Sequence, residues 1–368
     1  MKKARREFIK QAGIGGAALG VSGCTVVNGG PGGMHGAMHG ENGGMRAEHM
    51  NDPEHARIHA EHMAQMNLMR QGAGPMPKGM TFVTFERNGR NTLGVKTERG
   101  ILDVAAAAAR FSATCPTTID DAIRYGDAGL SQVVAKAGGE SALWLPEAGL
   151  RFGPAVTNPP KIVCVGLNYA RHARETNNPI PKLPILFNKF NNALNCHQGT
   201  VHVSRVPAKG FDYESELVVV MGKRAHNVSE ADALSYVFGY CSGNDFTARD
   251  LQSASSQWMI GKTCDGFGVL GPYVVTADQC DPNNMKVVGT VNGEVRQSSN
   301  TSDMVFNCAQ IIAYTSKLMT LEPGDLIYTG TPEGVIAGYP KDKQVWLKPG
   351  DKLTTTIGNL GTLAFTLA

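Results

Sequence analysis

Residues 212–221 read Asp-Tyr-Glu-Ser-Glu-Leu-Val-Val-Val-Met, two glutamates spaced by one residue and running into an unbroken apolar stretch. The run Leu217–Met221 predicts a buried strand. Side chains alternate along a strand, so Glu214 and Glu216 point to the same side. Two neighbouring carboxylates repel each other and desolvate badly unless something cationic joins them, and a hard divalent ion is the natural partner. Exposed edge carboxylates would give the same pattern. A second stretch, Gly239-Tyr-Cys-Ser-Gly-Asn-Asp245-Phe-Thr-Ala-Arg249-Asp250-Leu-Gln252, reads as a strand that delivers a third carboxylate at Asp245. Three oxygen ligands with positions left for water make a catalytic site rather than a closed structural one. Asp250 is a rival ligand, and equally a partner for an arginine.

Around this centre, short β-type runs recur between glycine turns: Ile162-Val-Cys-Val, Val287-Val-Gly-Thr-Val, Leu326-Ile-Tyr-Thr and Leu353-Thr-Thr-Thr-Ile. Leu321-Glu-Pro-Gly-Asp325 and Leu347-Lys-Pro-Gly-Asp351 are near copies, each predicting a type II turn with glycine at the positive-φ position. Met304–Leu318 shows the clearest helical spacing. Upstream, Met80-Thr-Phe-Val-Thr-Phe and Asn91-Thr-Leu-Gly-Val predict paired strands, Thr118–Ala137 has helical spacing, and Asn158-Pro159-Pro160 breaks the chain. The expectation is a β-rich α+β fold dominated by a mixed sheet or sandwich. It divides into a small leading α+β domain over 78–158 and a larger one over 159–368.

The chain begins Met-Lys-Lys-Ala-Arg5-Arg6-Glu-Phe-Ile-Lys and continues into a weakly apolar stretch from Gly13 to Val21. That stretch is too short and too glycine-rich for a membrane span, and the whole resembles a twin-arginine export signal. Val21-Ser-Gly-Cys24 resembles a lipobox, with Cys24 as the lipid acceptor. Residues 1–24 are therefore expected to direct export to the periplasm or cell envelope, with a lipid anchor at Cys24. Residues 25–77 are expected to be a flexible His/Met/Gly-rich linker. His35, His39, His49, His55, His59 and His62 alternate there with methionines, a donor set that suits copper. A chain whose function lies in that tail, as an envelope metal binder with an inactive core, is one alternative.

Net charge is +3 with no basic run, so nothing points to nucleic acid and none is expected as a partner. Neither a dinucleotide-binding glycine fingerprint nor a P-loop occurs. The eight cysteines contain no CxxC pair, and seven of them are expected as free, mostly buried thiols.

From Lys161 onward the sequence resembles the fumarylacetoacetate hydrolase family. The matching blocks stand in the family's order: Val165-Gly-Leu-Asn-Tyr169, His172-Ala-Arg-Glu175, Asp212–Leu217, Asn244–Gln252, Gly261-Lys262, Leu270-Gly-Pro272, Val291–Gln297 and Pro323–Gly334. The resemblance implies the family's mixed β-sandwich roll, one Mg²⁺ or Mn²⁺ on Glu214, Glu216 and Asp245, and homodimers. It implies that Lys262 stabilises developing enolate charge, that His172 and Glu175 on a mobile lid activate water, and that Gln252 and Thr331 contact substrate. The expected activity is hydrolysis of a carbon–carbon bond in a β-diketo acid of the acylpyruvate or fumarylacetoacetate type. Decarboxylation or isomerisation of an oxo-diacid is the alternative within the family. Cys264 and Asn195-Cys-His-Gln198 depart from the family pattern and leave the substrate pocket unassigned.

Overall fold

The computed structural model describes residues 53–368, with side chains from residue 62 onward. The export signal with Cys24, and the His/Met-rich stretch as far as residue 52, lie outside the described residues. Met1–Ala56 and Arg57–Ala368 form separate units. Of the first, only the start of the helix Pro53–Gln71 is described.

That helix stands inside the segment expected as linker. Its C-terminal part is anchored by one apolar residue, Leu68, which is buried against Tyr125 and Ala128. The chain beyond it is tied down where Gly74 N–H donates to Tyr125 O and Asp127 N–H to Pro75 O, both at 2.8 Å. Packing therefore begins ahead of residue 78. An anchoring leucine in a polar stretch leaves no compositional trace.

Strand Ser215–Met221 lies at the centre of a 12-stranded mixed sheet. On one side it pairs antiparallel with Val237–Asp245, and on the other with Leu326–Tyr328, which leads to Ile162–Gly166 and the edge strand Ile185–Lys189. Beyond Val237–Asp245 come Tyr273–Thr276, Thr81–Arg87, Arg90–Thr97, Gly100–Asp103 and Trp144–Leu145. The leading segment's strands thus continue the main sheet, through the pairing of Thr81–Val83 with Tyr273–Val275. Val218 and Val220 pack on one face with Ile123 and Leu130, whereas Leu217, Val219 and Met221 pack on the other with Ile311 and Ile312. Burial on both faces is what the continuous apolar run encodes.

A second, five-stranded sheet runs Glu294–Asn300, Lys286–Val291, Lys352–Ile357, Thr362–Leu367, Thr200–Val201. It lies against the central strands of the large sheet. Its own core gathers Phe211, Phe246, Phe267 and Phe365. The architecture is a sheet-rich α+β fold.

Several local readings are refined. Thr118–Ala137 is two helices, Ile119–Tyr125 and Leu130–Lys136, because Gly126 and Gly129 take positive φ between them. The helix expected from Met304 starts at Cys308, where Asn307 and Gln310 form a capping box. Both Pro-Gly turns hold glycine at positive φ, +91° at Gly324 and +94° at Gly350. Each turn is closed in the same way, by Glu322 N–H on Asp325 Oδ2 and by Lys348 N–H on Asp351 Oδ2. Seven cysteines are free; Cys115, Cys164, Cys241 and Cys308 are buried and the other three half-buried.

Candidate active site

The antiparallel register sets Ser215 opposite Asn244 and Glu216 opposite Gly243, and Asp245 N–H donates to Glu214 O at 2.9 Å. Adjacent strand ends therefore bring Glu214, Glu216 and Asp245 together. One carboxylate oxygen from each lies within 4.8 Å of the others, and all three residues are buried.

Three cations enclose the acids. Lys262 Nζ lies 2.6 Å from Glu214 Oε2 and 2.9 Å from Asp245 Oδ2. Lys189 Nζ lies 2.5 Å from Asp245 Oδ1, and it also donates to the backbone carbonyls of Phe246 and Lys262. Arg249 reaches Glu214 Oε1 at 2.7 Å and Asp212 Oδ2 at 2.8 Å. Burial pushes the Glu214 carboxyl up, but Lys262 and Arg249, with His172 behind them, more than offset this and hold it down to about 2. Glu216 differs. Among the described residues no cation pairs with it, and its Oε2 accepts only the Gly330 N–H, at 2.8 Å. Burial, then the neighbouring Asp245 and Glu214 carboxylates, push its carboxyl well above the glutamate range.

Fully ionised, Asp212, Glu214, Glu216 and Asp245 would carry one negative charge more than Lys189, Arg249 and Lys262 balance, the charge that burial disfavours at Glu216. An all-oxygen donor set with surplus negative charge fits a hard divalent cation. Asp250 is not part of it: the residue is exposed, and its carboxylate accepts the Lys209 and Leu251 N–H groups. Arg249 pairs instead with Asp212, whose oxygens also accept the Ile336 and Ala337 N–H groups.

Lys262 reaches the centre because Gly261 lets its short helix press on the one before. A Cβ at Gly261 would lie 2.4 Å from Gln252 N and 2.6 Å from Ala248 O. Gln252 itself accepts from Arg249 Nη1 at 3.0 Å through Oε1, so its amide NH₂ is what it can offer a ligand.

His172 and Glu175 lie on the helix Ala170–Glu175, with Nδ1 and Oε1 2.8 Å apart. The other carboxylate oxygen of Glu175 accepts the Gly334 N–H at 2.9 Å. Gly334 has φ +102°, and a Cβ there would lie 2.2 Å from Arg296 O, so only glycine fits. The pair expected on a mobile lid is therefore docked in place, with His172 only 4% exposed.

Thr331, expected to contact substrate, follows Gly330 in the segment Thr329-Gly-Thr331. The carboxylate its Gly330 N–H holds is that of Glu216. The Thr331 hydroxyl donates to Ser215 O at 3.1 Å and accepts from Gln297 Nε2 at 2.8 Å, so what it can still offer a ligand is one acceptor lone pair. Lys189, Arg249 and Asp212 belong to the site and were given no role by the sequence. A lone lysine closing a mixed strand carries no local signature. Asp212 and Arg249 stood inside the quoted motifs, where their type and order were the available signal.

Residues 161–368 match the family described as fumarylacetoacetate (FAA) hydrolase C-terminal. The chain is 42% identical over 267 residues to the mitochondrial oxaloacetate tautomerase of Bos taurus, covering 72% of this chain and 82% of that one. Its fold is similar to the solved structure of fumarylacetoacetate hydrolase from the psychrophilic Exiguobacterium antarcticum, with TM-score 0.66, 31% identity, and 78% and 99% of the two chains covered. It is also similar to 5-carboxymethyl-2-hydroxymuconate delta-isomerase from Mycobacterium smegmatis, with TM-score 0.53, 34% identity, and 61% and 82% covered. An acidic triad, a buried lysine and a family match over the same residues lead to one conclusion: the chain belongs to the fumarylacetoacetate hydrolase family of enzymes.

Proposed function

We propose that this protein enolises a small 2-oxo-diacid of the oxaloacetate type, interconverting its keto and enol forms with the help of Mg²⁺ or Mn²⁺. The observation that carries this reading is the joint burial of the triad, Lys262 and His172. So enclosed a site suits a short diacid and a proton transfer more than a bulky diketo acid. The relatives named as a tautomerase and an isomerase rearrange their substrates without loss of mass, in keeping with this chemistry.

Glu214, Glu216 and Asp245 would hold the cation, which when bound supplies Lewis acidity toward the 2-oxo acid end of the substrate. His172 Nδ1 is committed to Glu175, which leaves Nε2 to take the proton from C3 and return it to the enol oxygen. Glu175 fixes the tautomer and ring orientation that this requires, itself held by Gly334. The Lys262 ammonium places fixed positive charge where negative charge develops. The Gln252 NH₂ is available for a substrate carboxylate.

The test is to follow the enol absorbance of oxaloacetate with Mn²⁺ present while assaying for carbon dioxide and for cleavage products. Enol loss without either is expected. His172→Asn should lower kcat by about 10²–10⁴-fold and leave Mn²⁺ affinity unchanged. Carbon dioxide release at the rate of enol loss would overturn the reading in favour of decarboxylation.

A second reading is hydrolysis of a β-diketo acid, with His172 Nε2 deprotonating water in place of C3. The same dyad favours it, as does a relative named as a fumarylacetoacetate hydrolase that aligns over 99% of its length. Release of two acids from acetylpyruvate would establish it.

A further inference from the structure

A cavity of about 220 Å³ opens beside the loop that follows Gly334, and none of the candidate active-site residues lines it. Arg296, Lys343 and Lys348 share its walls with Tyr213, Tyr339 and Trp346. The one acid on those walls, Asp351, is already engaged, accepting from Lys348 N–H at 2.8 Å and from Asn292 Nδ2 at 2.9 Å. Arg296 is 33% exposed, and its Nη2 pairs with the exposed Glu294 at 3.0 Å. An ion pair at so exposed a position contributes little, so a carboxylate entering the cavity can take the guanidinium from Glu294.

We infer that this cavity binds a small planar carboxylate, an aromatic acid of one ring. The carboxylate would accept from Arg296, with Lys343 and Lys348 at the rim, and the ring would lie among Tyr213, Tyr339 and Trp346. The volume supports the single ring, since pockets for drug-sized ligands run to roughly 300–1,000 Å³. Aromatic walls supply flat apolar area, and a guanidinium recognises a carboxylate better than an ammonium does.

The cavity also adjoins the dyad. The Tyr213 and Tyr339 hydroxyls both donate to Gly334 O, at 2.7 and 3.2 Å, and the N–H of that same residue holds Glu175. An occupant that moves those rings moves the residue that positions Glu175. Binding itself does not depend on the proposed reaction, so the two can fail separately.

The experiment is titration of the full chain with benzoate, read by tryptophan fluorescence, with Trp346→Phe identifying the responding ring. A saturable change lost in Trp346→Phe is expected. Arg296→Gln should bind roughly tenfold more weakly, the loss of one charge-assisted hydrogen bond. Lys348→Gln, at an exposed position where folding is not at stake, should bind a few-fold more weakly by loss of rim charge. Glu216→Gln should bind benzoate normally, because the triad lies outside the cavity. No saturable change, equal binding by both Arg296→Gln and Lys348→Gln, or loss of binding in Glu216→Gln would overturn the assignment, the last by placing benzoate in the active site.

Discussion

Glu216 is the residue on which the centre turns, because its charge is the one left unmatched. Raised by burial and by two neighbouring carboxylates, its carboxyl holds a proton well above the ordinary glutamate value of 4.5. The sign follows from linkage: a group whose folded pKa lies above its unfolded one stabilises the fold at low pH, and this contribution is lost as pH rises from about 4.5 through the folded value. Cation binding must expel that proton, so Mn²⁺ affinity should climb with pH over the same window, which calorimetry in buffers of different ionisation enthalpy would measure as proton release. Glu216→Gln should keep the Gly330 hydrogen bond, abolish the pH dependence, weaken Mn²⁺ binding by at least about tenfold, and leave the metal-free melting temperature equal or higher. Lys189→Met should behave in the opposite way. It removes the cation on Asp245 Oδ1 while Lys262 still pairs with Oδ2, and leaving that one buried oxygen unpaired should cost about 1–3 kcal/mol in urea unfolding. The acids of this site were legible because strand alternation is a local rule that placed Glu214 and Glu216 on one side before any fold was known. The cations Lys189 and Arg249 were not, because their partners are fixed by sheet pairing rather than by neighbours in sequence.

At the scale of elements, the short helix Met259–Lys262 shows how little backbone tolerance the centre has. With the Gln252 nitrogen only 2.4 Å from where a methyl would stand, Gly261→Ala must push this helix off its neighbour and take Lys262 with it. A displacement near 1 Å should lower kcat by about 100-fold, with Mn²⁺ affinity changing far less; steady-state kinetics beside a metal titration would check it. Elements declared by their own residues were read well, such as the buried strand 217–221 and the two Pro-Gly turns. Those limited by a cap or a glycine break were read too long. Cys308–Leu318 and the split pair Ile119–Tyr125 and Leu130–Lys136 show that apolar spacing continues past the point where Asn307, Gly126 or Gly129 stops the helix. The helix Pro53–Gln71 was missed because periodicity could not show it: among its described side chains, Leu68 alone is buried.

For the whole molecule, the leading strands and the catalytic segment share one hydrogen-bonded surface, although only residues 161–368 carry the family's pattern. Sequence punctuation at Asn158-Pro159-Pro160 marks a break in the chain but not in the sheet, whose ladder is assembled from strands far apart in sequence. A fragment trimmed to the recognisable part would lose the partner of Tyr273–Thr276 and bare a row of unsatisfied amides and carbonyls there. Such a rim invites a copy of itself. Residues 161–368 expressed alone should therefore pellet as inclusion bodies or elute as soluble aggregate in the void volume of a size-exclusion column, and co-expressed residues 53–160 should rescue them: the leading segment serves its neighbour as a built-in stopper against self-association.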